Sequence, residues 1–278
     1  MPSRPRLGQN FLRDAHAIER IANALGNLDS ETLVEIGPGQ GAITRALASR
    51  AAHIIAIELD SVLAAGLRAQ FPPERLTVIE ADVLDVDFSA LSAQAGKRLI
   101  IAGNLPYYIT SPILLKLAAS HAVLDRAVLM VQREVADRIV AAPGSRDYGL
   151  LSVTVQIYGP VEPLFTLPPG AFSPPPDVHS TVFRWRFAPR FAQLGIHEEG
   201  FLRFARQVFA QKRKTLANNL RAAGYRFEAI PSALAHASIP PQARAETLSI
   251  EDLAHLFLSL EKERAASSSE AAIPVEQP

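Results

Sequence analysis

Short runs of branched apolar residues recur along the chain, with helical stretches between them. The runs are TLVEIG (32–37), HIIAIE (53–58), LTVIEAD (76–82), LIIAGN (99–104) and AVLMVQ (127–132). Each is rich in Ile and Val and continuous rather than alternating, the pattern of a strand covered on both faces. AITRALASR, SVLAAGLRAQF and SPILLKLAAS, which lie between them, carry apolar residues at helical intervals. This repetition predicts an α/β fold with a parallel, doubly wound sheet. It also says where to look for function, because ligands of such sheets bind beyond the carboxyl ends of the strands.

Two later segments have a different period. In LSVTVQIY (151–158), Leu151, Val153, Val155 and Ile157 alternate with Ser152, Thr154, Gln156 and Tyr158. In TVFRWRF (181–187), Phe183, Trp185 and Phe187 stand opposite Arg184 and Arg186. Alternation predicts half-exposed edge or antiparallel strands. The proline-rich FTLPPGAFSPPPDV between them predicts a stiff loop. From about residue 198 the pattern turns helical, with Phe201, Phe204 or Ala205, and Val208 on one face and Leu216 and Leu220 resuming it. Lys212 interrupts that stripe and predicts a break near 211–214. Ser249 is placed to cap a further amphipathic helix. The expected organisation is a domain over 1–187, a small all-helical domain over 188–262 and a disordered Ser/Ala/Glu/Pro-rich tail over 263–278.

The absence of cysteine excludes disulfides and thiolate metal sites, and no metal is expected. No apolar run approaches the roughly 20 residues of a membrane span. The start, MPSRPRLGQNF, lacks the apolar segment of a secretory signal, so the expected location is the cytoplasm. The expected state is a monomer. Net charge is formally zero, but it is unevenly spread. Residues 184–226 hold ten Lys/Arg against Glu198 and Glu199, the first thirteen residues hold Arg4, Arg6 and Arg13 and no acid, and 246–278 hold seven acids against two bases. A zero sum can therefore hide a basic surface. Composition alone slightly favours the plainer reading, a set of solvated helix faces.

EIGPGQGAIT (35–44) joins the first strand to a helix. Gly37, Gly39 and Gly41 permit a sharp turn that a ligand can approach closely. Their G-x-G-x-G spacing differs from the G-x-G-x-x-G of pyrophosphate-binding turns. Glu58 ends the next strand, twenty-one residues after Gly37, where an acid grips a ribose diol. Asp82 ends the third strand, placed to accept from an adenine amine, and Asn104 ends the fourth. Each alone fits a helix cap or a loop residue. Together they point to a nucleoside cofactor without a pyrophosphate, which suits S-adenosylmethionine better than NAD.

NLPY (104–107) follows the apolar run of the fourth strand. Pro106 restricts Leu105 to extended conformations and so aims the Asn104 amide and nearby carbonyls, with Tyr107 just beyond. A rigid pair of acceptors beside an aromatic plate suits a planar base with an exocyclic amine. The base would stack on Tyr107, while Asn104 and a carbonyl of Leu105 or Pro106 accept its two N–H bonds. The amine lone pair is then aimed at an electrophilic methyl, and catalysis is positioning without a general base. Phe172, in FSPPPDV, is placed either to cover the other face of the base or to fill the core.

LGQNFL (7–12), EIGPGQGAIT, NLPYYIT, FSPPPDV and KRKTLANNL (212–220), in that order, resemble the bacterial small-subunit rRNA adenine dimethyltransferases, the kasugamycin-sensitivity enzymes. The resemblance spans roughly residues 4–262. It implies a seven-stranded Rossmann-like class I methyltransferase sheet with a helical C-terminal domain. It also implies dimethylation of the N6 of two adjacent adenines in a hairpin loop near the 3′ end of 16S rRNA. The substrate would be the small ribosomal subunit or its precursor. Asn10, Leu12, Gly37, Glu58, Asp82 and Asn104 would bind S-adenosylmethionine, and Tyr107 and Phe172 would flank the adenine. Asn10 and Leu12 enter through the resemblance alone. Lys212, Arg213, Lys214 and Arg221 would meet RNA phosphates. The alternatives are a non-catalytic RNA-binding assembly factor on the same scaffold and a nicotinamide dehydrogenase.

Overall fold

Among the described residues, nine strands form two sheets: β1 (Phe11–Leu12), β2 (Thr32–Ile36), β3 (His53–Glu58), β4 (Leu76–Glu80), β5 (Leu99–Asn104), β6 (Leu124–Gln132), β7 (Val161–Leu167), β8 (Phe172–Ser173) and β9 (Ser180–Arg186). The computed structural model describes residues 10–270, with side chains through residue 264. Arg4, Arg6, the first three residues of LGQNFL and residues 271–278 lie outside the described residues.

The larger sheet has seven strands in the order β4-β3-β2-β5-β6-β9-β7. β4, β3, β2, β5 and β6 pair in parallel, whereas β9 is antiparallel to both β6 and β7. All five apolar runs are parallel strands, as their continuous hydrophobicity requires. Leu33, Val34, Ile36, Ile54, Ile57, Ile100 and Ile101 are buried, so neighbouring residues pointing to opposite faces are covered alike. The strand order reverses between β2 and β5, which opens a crevice at their carboxyl ends.

Helices α1 (Ala15–Ala24), α2 (Ala42–Leu47), α3 (Ser61–Gln70), α4 (Phe88–Ala95), α5 (Thr110–Ala119) and α6 (Arg133–Val140) belong to the unit that holds the sheet. Short acids start three of them. Asp14 Oδ1 accepts from the Ala17 N–H at 2.9 Å, and Asp60 and Asp87 accept from two first-turn amides each.

Helices α7 (Leu150–Gln156), α8 (Glu198–Val208), α9 (Leu216–Ala222), α10 (Ala229–His236) and α11 (Ile250–Glu270) form the second unit. Phe201, Phe204, Ala205, Val208, Leu216 and Leu220 are buried, and the chain leaves the helix between Val208 and Leu216, as Lys212 predicts. The Ser249 cap is reciprocal: its Oγ accepts from the Asp252 N–H at 3.0 Å, while Asp252 Oδ2 accepts from the Ser249 N–H at 3.0 Å.

Four expectations need correction. LSVTVQIY is not a strand, because its residues 151–156 lie in α7 (Leu150–Gln156). Its polar positions Ser152 and Thr154 are buried along with Leu151, Val153 and Val155, so there was no solvated face for a strand to show. A short apolar run is ambiguous in period, and full burial settled it as helix. The domain boundary is also not a single cut at 187/188. One unit comprises 1–140 and 158–188, the other 141–157 and 189–278, so α7 belongs with the helices. The expected loop from Phe165 onward begins instead as the end of β7, with Pro163 tolerated in an edge strand at a register shift. The tail expected from residue 263 is still helical as far as Glu270.

Gly103, in β5, has no room for a side chain: a Cβ there would lie 2.8 Å from the Ile36 carbonyl oxygen and 3.3 Å from Leu105 Cδ2. Gly103→Ala should therefore force β2 and β5 apart and cost about 1–3 kcal/mol, as overpacking does. Urea unfolding monitored by circular dichroism measures it, and a variant with unchanged midpoint contradicts this account of the β2–β5 contact.

Candidate active site

The carboxyl ends of β2, β3 and β5 stop in step, with Ile36 opposite both Ile57 and Gly103. Beyond them lies a cavity of about 440 Å³. Asn10, Leu12, Gly37, Glu58, Asp82, Asn104 and Tyr107 all line it, gathered from positions 10 to 107 of the chain.

Gly37, Gly39 and Gly41 have φ of +64°, +57° and +77°, in the left-handed region. The turn needs more than conformational freedom at Gly39, where a Cβ would meet the Phe11 ring at 2.9 Å. The bare backbone lets the N-terminal arm close on the glycine turn. That arm is fixed at both sides: β1 pairs with β8, the Arg13 N–H donates to the Ala171 carbonyl at 2.8 Å, and the Asn104 side-chain amide donates to the Asn10 carbonyl at 3.0 Å.

Glu58 is 4 % exposed. Its Oε2 accepts from the Gly39 N–H and its Oε1 from the Asp60 N–H, both at 3.0 Å. Two backbone donors orient the carboxylate, and each oxygen keeps a lone pair for a diol. Asp82 Oδ1 accepts from the Leu84 N–H at 2.9 Å, which holds that carboxylate against the loop after β4.

Asn104 carries the site's unmet demand. Its Nδ2 has the Asn10 carbonyl, but its Oδ1 is buried with no hydrogen-bond partner. An orphaned buried acceptor is costly and marks a place that a donor can fill. The Pro106 carbonyl accepts both the Ile109 N–H at 3.2 Å and the Thr110 hydroxyl at 3.0 Å. Its two lone pairs are used, so the Leu105 carbonyl is the remaining partner for Asn104 in the expected acceptor pair. The Tyr107 hydroxyl is 2.7 Å from Ser180 Oγ, at the start of β9. Burial raises the Tyr107 pKa above that of a free phenol, opposed by the Ser180 bond. The ring is thus tied to the sheet at its far end.

Phe172 belongs to the core of the unit that holds the sheet. It does not line the cavity, is 4 % exposed, and packs in the core opposite Leu12 across the β1–β8 pair. Its partner Leu12, 5 % exposed, lines the cavity.

Sequence reading missed Glu35, Phe11 and Tyr108, all of which line the cavity. Glu35 is 1 % exposed, and its Oε2 accepts from the Thr44 hydroxyl at 2.7 Å. Burial pushes its pKa up to about 7; the Thr44 bond opposes the rise and the Glu58 charge adds to it. The signal was present, since an acid inside the apolar run TLVEI needs a reason to be there. Tyr108 is 60 % exposed, and its pKa is raised by partial burial and by the charges of Asp82 and Glu58.

The expected RNA contacts lie on the helical unit. Lys212, Arg213 and Lys214 are exposed in the turn between α8 and α9, with Lys212 Nζ donating to the Arg146 carbonyl at 2.7 Å. Arg221 is exposed in the last turn of α9.

The strand order, the antiparallel β9 beside β6 and the glycine turn facing an acid at the end of β3 define a Rossmann-like class I methyltransferase fold. The model of the family described as ribosomal RNA adenine dimethylase matches residues 2–262, and the chain belongs to that family. It is 58 % identical over 259 residues to a ribosomal RNA small subunit methyltransferase A from Acidobacterium capsulatum, covering 93 % of this chain and 91 % of the relative. It is 50 % identical over 269 residues to the protein of the same name from Koribacter versatilis, covering 92 % and 94 %. Among solved structures, a dimethyladenosine transferase from Plasmodium falciparum superposes with a TM-score of 0.80 at 24 % identity, over 91 % of this chain and 98 % of that one. The 23S rRNA methyltransferase ErmE gives 0.67 at 25 % identity, over 91 % and 100 %.

Glu35 makes the ligand-free fold pH-sensitive. Its folded pKa of about 7 stands above the ordinary 4.5, so the folded chain holds a proton that the unfolded chain releases between those values. Its contribution is full below about pH 4.5 and is lost as pH rises through about 7. Glu35→Gln should therefore gain stability over the native protein between pH 4.5 and 8, by an amount on the order of 3 kcal/mol. Thermal unfolding across that range without added ligand tests this; parallel pH profiles for the two proteins would refute it.

Proposed function

We propose that the protein uses S-adenosylmethionine to dimethylate the N6 of two adjacent adenines in a hairpin loop near the 3′ end of 16S rRNA, during biogenesis of the small ribosomal subunit. The observation that carries this reading is the buried, partnerless Asn104 Oδ1 at the end of β5, in a cavity that Tyr107 also lines. Family membership and the names of the most similar relatives support the substrate class.

The residues fit the cofactor. The Glu58 carboxylate, already oriented by two amides, has lone pairs left for the ribose hydroxyls. Asp82 stands at the end of the neighbouring strand, suited to the adenine amine. The bare glycine turn allows close approach, and Asn10 and Leu12 cover the remaining side. When bound, S-adenosylmethionine supplies an electrophilic sulfonium methyl.

This chain's own residues do the rest. An adenine amine is a poor nucleophile because its lone pair is delocalised into the ring. Asn104 Oδ1 and the Leu105 carbonyl accept its two N–H bonds and hold the nitrogen with its lone pair aimed along the transfer line. As positive charge develops on that nitrogen, the two acceptors stabilise it. Tyr107, tethered through Ser180, stacks against the base and fixes its plane. The methylated nitrogen then releases its proton to water without a general base. Reaching this pocket requires the base to leave its stack, which an unpaired loop permits at low cost.

Incubation with labelled S-adenosylmethionine and under-methylated small subunits should yield N6,N6-dimethyladenosine, read by mass spectrometry of digested rRNA. Asn104→Ala should lower turnover by about a hundredfold to a thousandfold, as loss of one aimed polar contact does. Glu58→Ala should abolish the thermal shift produced by S-adenosylmethionine. Full activity of Asn104→Ala sinks the acceptor pair, and absence of any methylated adenine sinks the reading itself.

A further inference from the structure

The helical unit carries a built aromatic platform that the reaction does not use. Phe227 is 59 % exposed, and among the described residues it is the one large hydrophobic side chain of this unit that stands open to solvent. The guanidinium of Arg221 lies over its ring, 4.5 Å from the centroid. Three interactions fix the pair. Gly224, with φ +88°, ends α9 in a left-handed turn. The Tyr225 N–H donates to the Leu220 carbonyl at 3.1 Å and the Gly224 N–H to the Arg221 carbonyl at 3.0 Å, which together reverse the chain beneath the helix end. The Tyr225 hydroxyl then donates to Gln207 Oε1 at 3.1 Å and pins the loop to α8. Phe227 is thus held under Arg221 before any partner arrives.

The surroundings select the partner's chemistry. From Gly200 to Phe227 the chain has seven Lys/Arg and no acid; of the two flanking acids, Glu199 pairs with Arg203 and Glu228 is exposed. Arg213, Lys214, Arg221 and Arg226 are exposed, and α9 separates the basic turn from the platform by about 10 Å. Positive charge suits a phosphodiester backbone. A rigid aromatic ring and a guanidinium plane suit the π-face of a base.

We propose that Arg221 and Phe227 form a stacking platform for one unpaired nucleobase of the RNA, outside the methylated loop, while Arg213 and Lys214 hold the phosphates beside it. Arg221 acts here as a flat stacking partner rather than as a phosphate contact. The site recognises a base whose stack has already been broken, so it distinguishes a bulged or looped RNA from a continuous duplex. This rests on the reading of the protein as an rRNA methyltransferase and adds a second point of recognition to it.

The two kinds of contact leave different marks on salt dependence. Phosphate contacts release counterions and set the slope of log affinity against log salt, whereas stacking does not. Binding of the full-length protein to under-methylated small subunits and to naked 16S rRNA is measured at several salt concentrations, without cofactor. Phe227→Ala should weaken binding about 5- to 150-fold with an unchanged slope, the scale of one lost base stack. Phe227→Trp should retain the native affinity. Arg221→Lys keeps the charge but not the plane, so affinity should fall and the slope stay. Lys214→Ala should instead reduce the slope by about 0.7–0.9. Matching thermal unfolding of each variant confirms that the fold is kept.

Phe227→Ala binding within twofold of native overturns the proposal, as does a reduced slope for that variant. A loss seen with intact subunits but not with naked rRNA also overturns it, because the platform would then meet a protein. If Phe227→Ala is neutral while Asn104→Ala still abolishes methylation, only the platform fails. If the native protein neither binds nor methylates the subunit, the functional reading fails with it.

Discussion

The cavity depends on β2 and β5 lying side by side in parallel register at the point where strand order reverses. That pairing brings the glycine turn after β2 and the Asn104 end of β5 to a common edge, with β3 delivering Glu58 beside them. The contact is tight because Gly103 leaves no side chain between the strands. A larger residue would separate the turn that admits the ligand from the amide that engages it. The site is in this sense a property of strand spacing before it is a property of any side chain.

Two buried carboxylates share this edge and are held in different ways. Glu58 receives two backbone N–H groups, so its orientation is set by the main chain of the glycine turn and of the start of α3. Glu35 receives one hydroxyl, and burial dominates, drawing its titration toward neutrality. The first suits a fixed hydrogen-bond acceptor, the second a group whose charge depends on what else enters the cavity. Asn104 and Tyr107 complete the division of labour: one is tied to the N-terminal arm, the other to β9. Pieces far apart in sequence therefore brace the two groups that would meet the base.

Much of this was legible in the chain. The five apolar runs named the parallel strands, and the polar residues at their ends named Glu58, Asp82 and Asn104 as neighbours, because strand ends in a parallel sheet share an edge. The helix break near Lys212 and the Ser249 cap were also visible, since each rests on local chemistry. The failures share one cause. LSVTVQIY has a period that suits a strand, but all of it except the half-buried Gln156 is buried, which local pattern does not encode. Phe172 suits a pocket or a core equally by local pattern, and only the fold sets it beside Leu12, 160 residues earlier in the chain.

By itself, then, the sequence determined the five parallel strands and the helices read between them, the sharp glycine turn and the identity of the polar groups at the strand ends. These follow from periodicity and from backbone chemistry within a few residues. Only the tertiary structure decided that residues 141–157 join the helical unit, that the N-terminal arm is bonded to Asn104, and that Phe227 lies under Arg221. It also decided which lone pairs are already used, at Pro106, and which are left, at Asn104. Those outcomes depend on contacts between segments remote in the chain and on competition for burial and hydrogen bonds, which exist only once the whole fold is assembled.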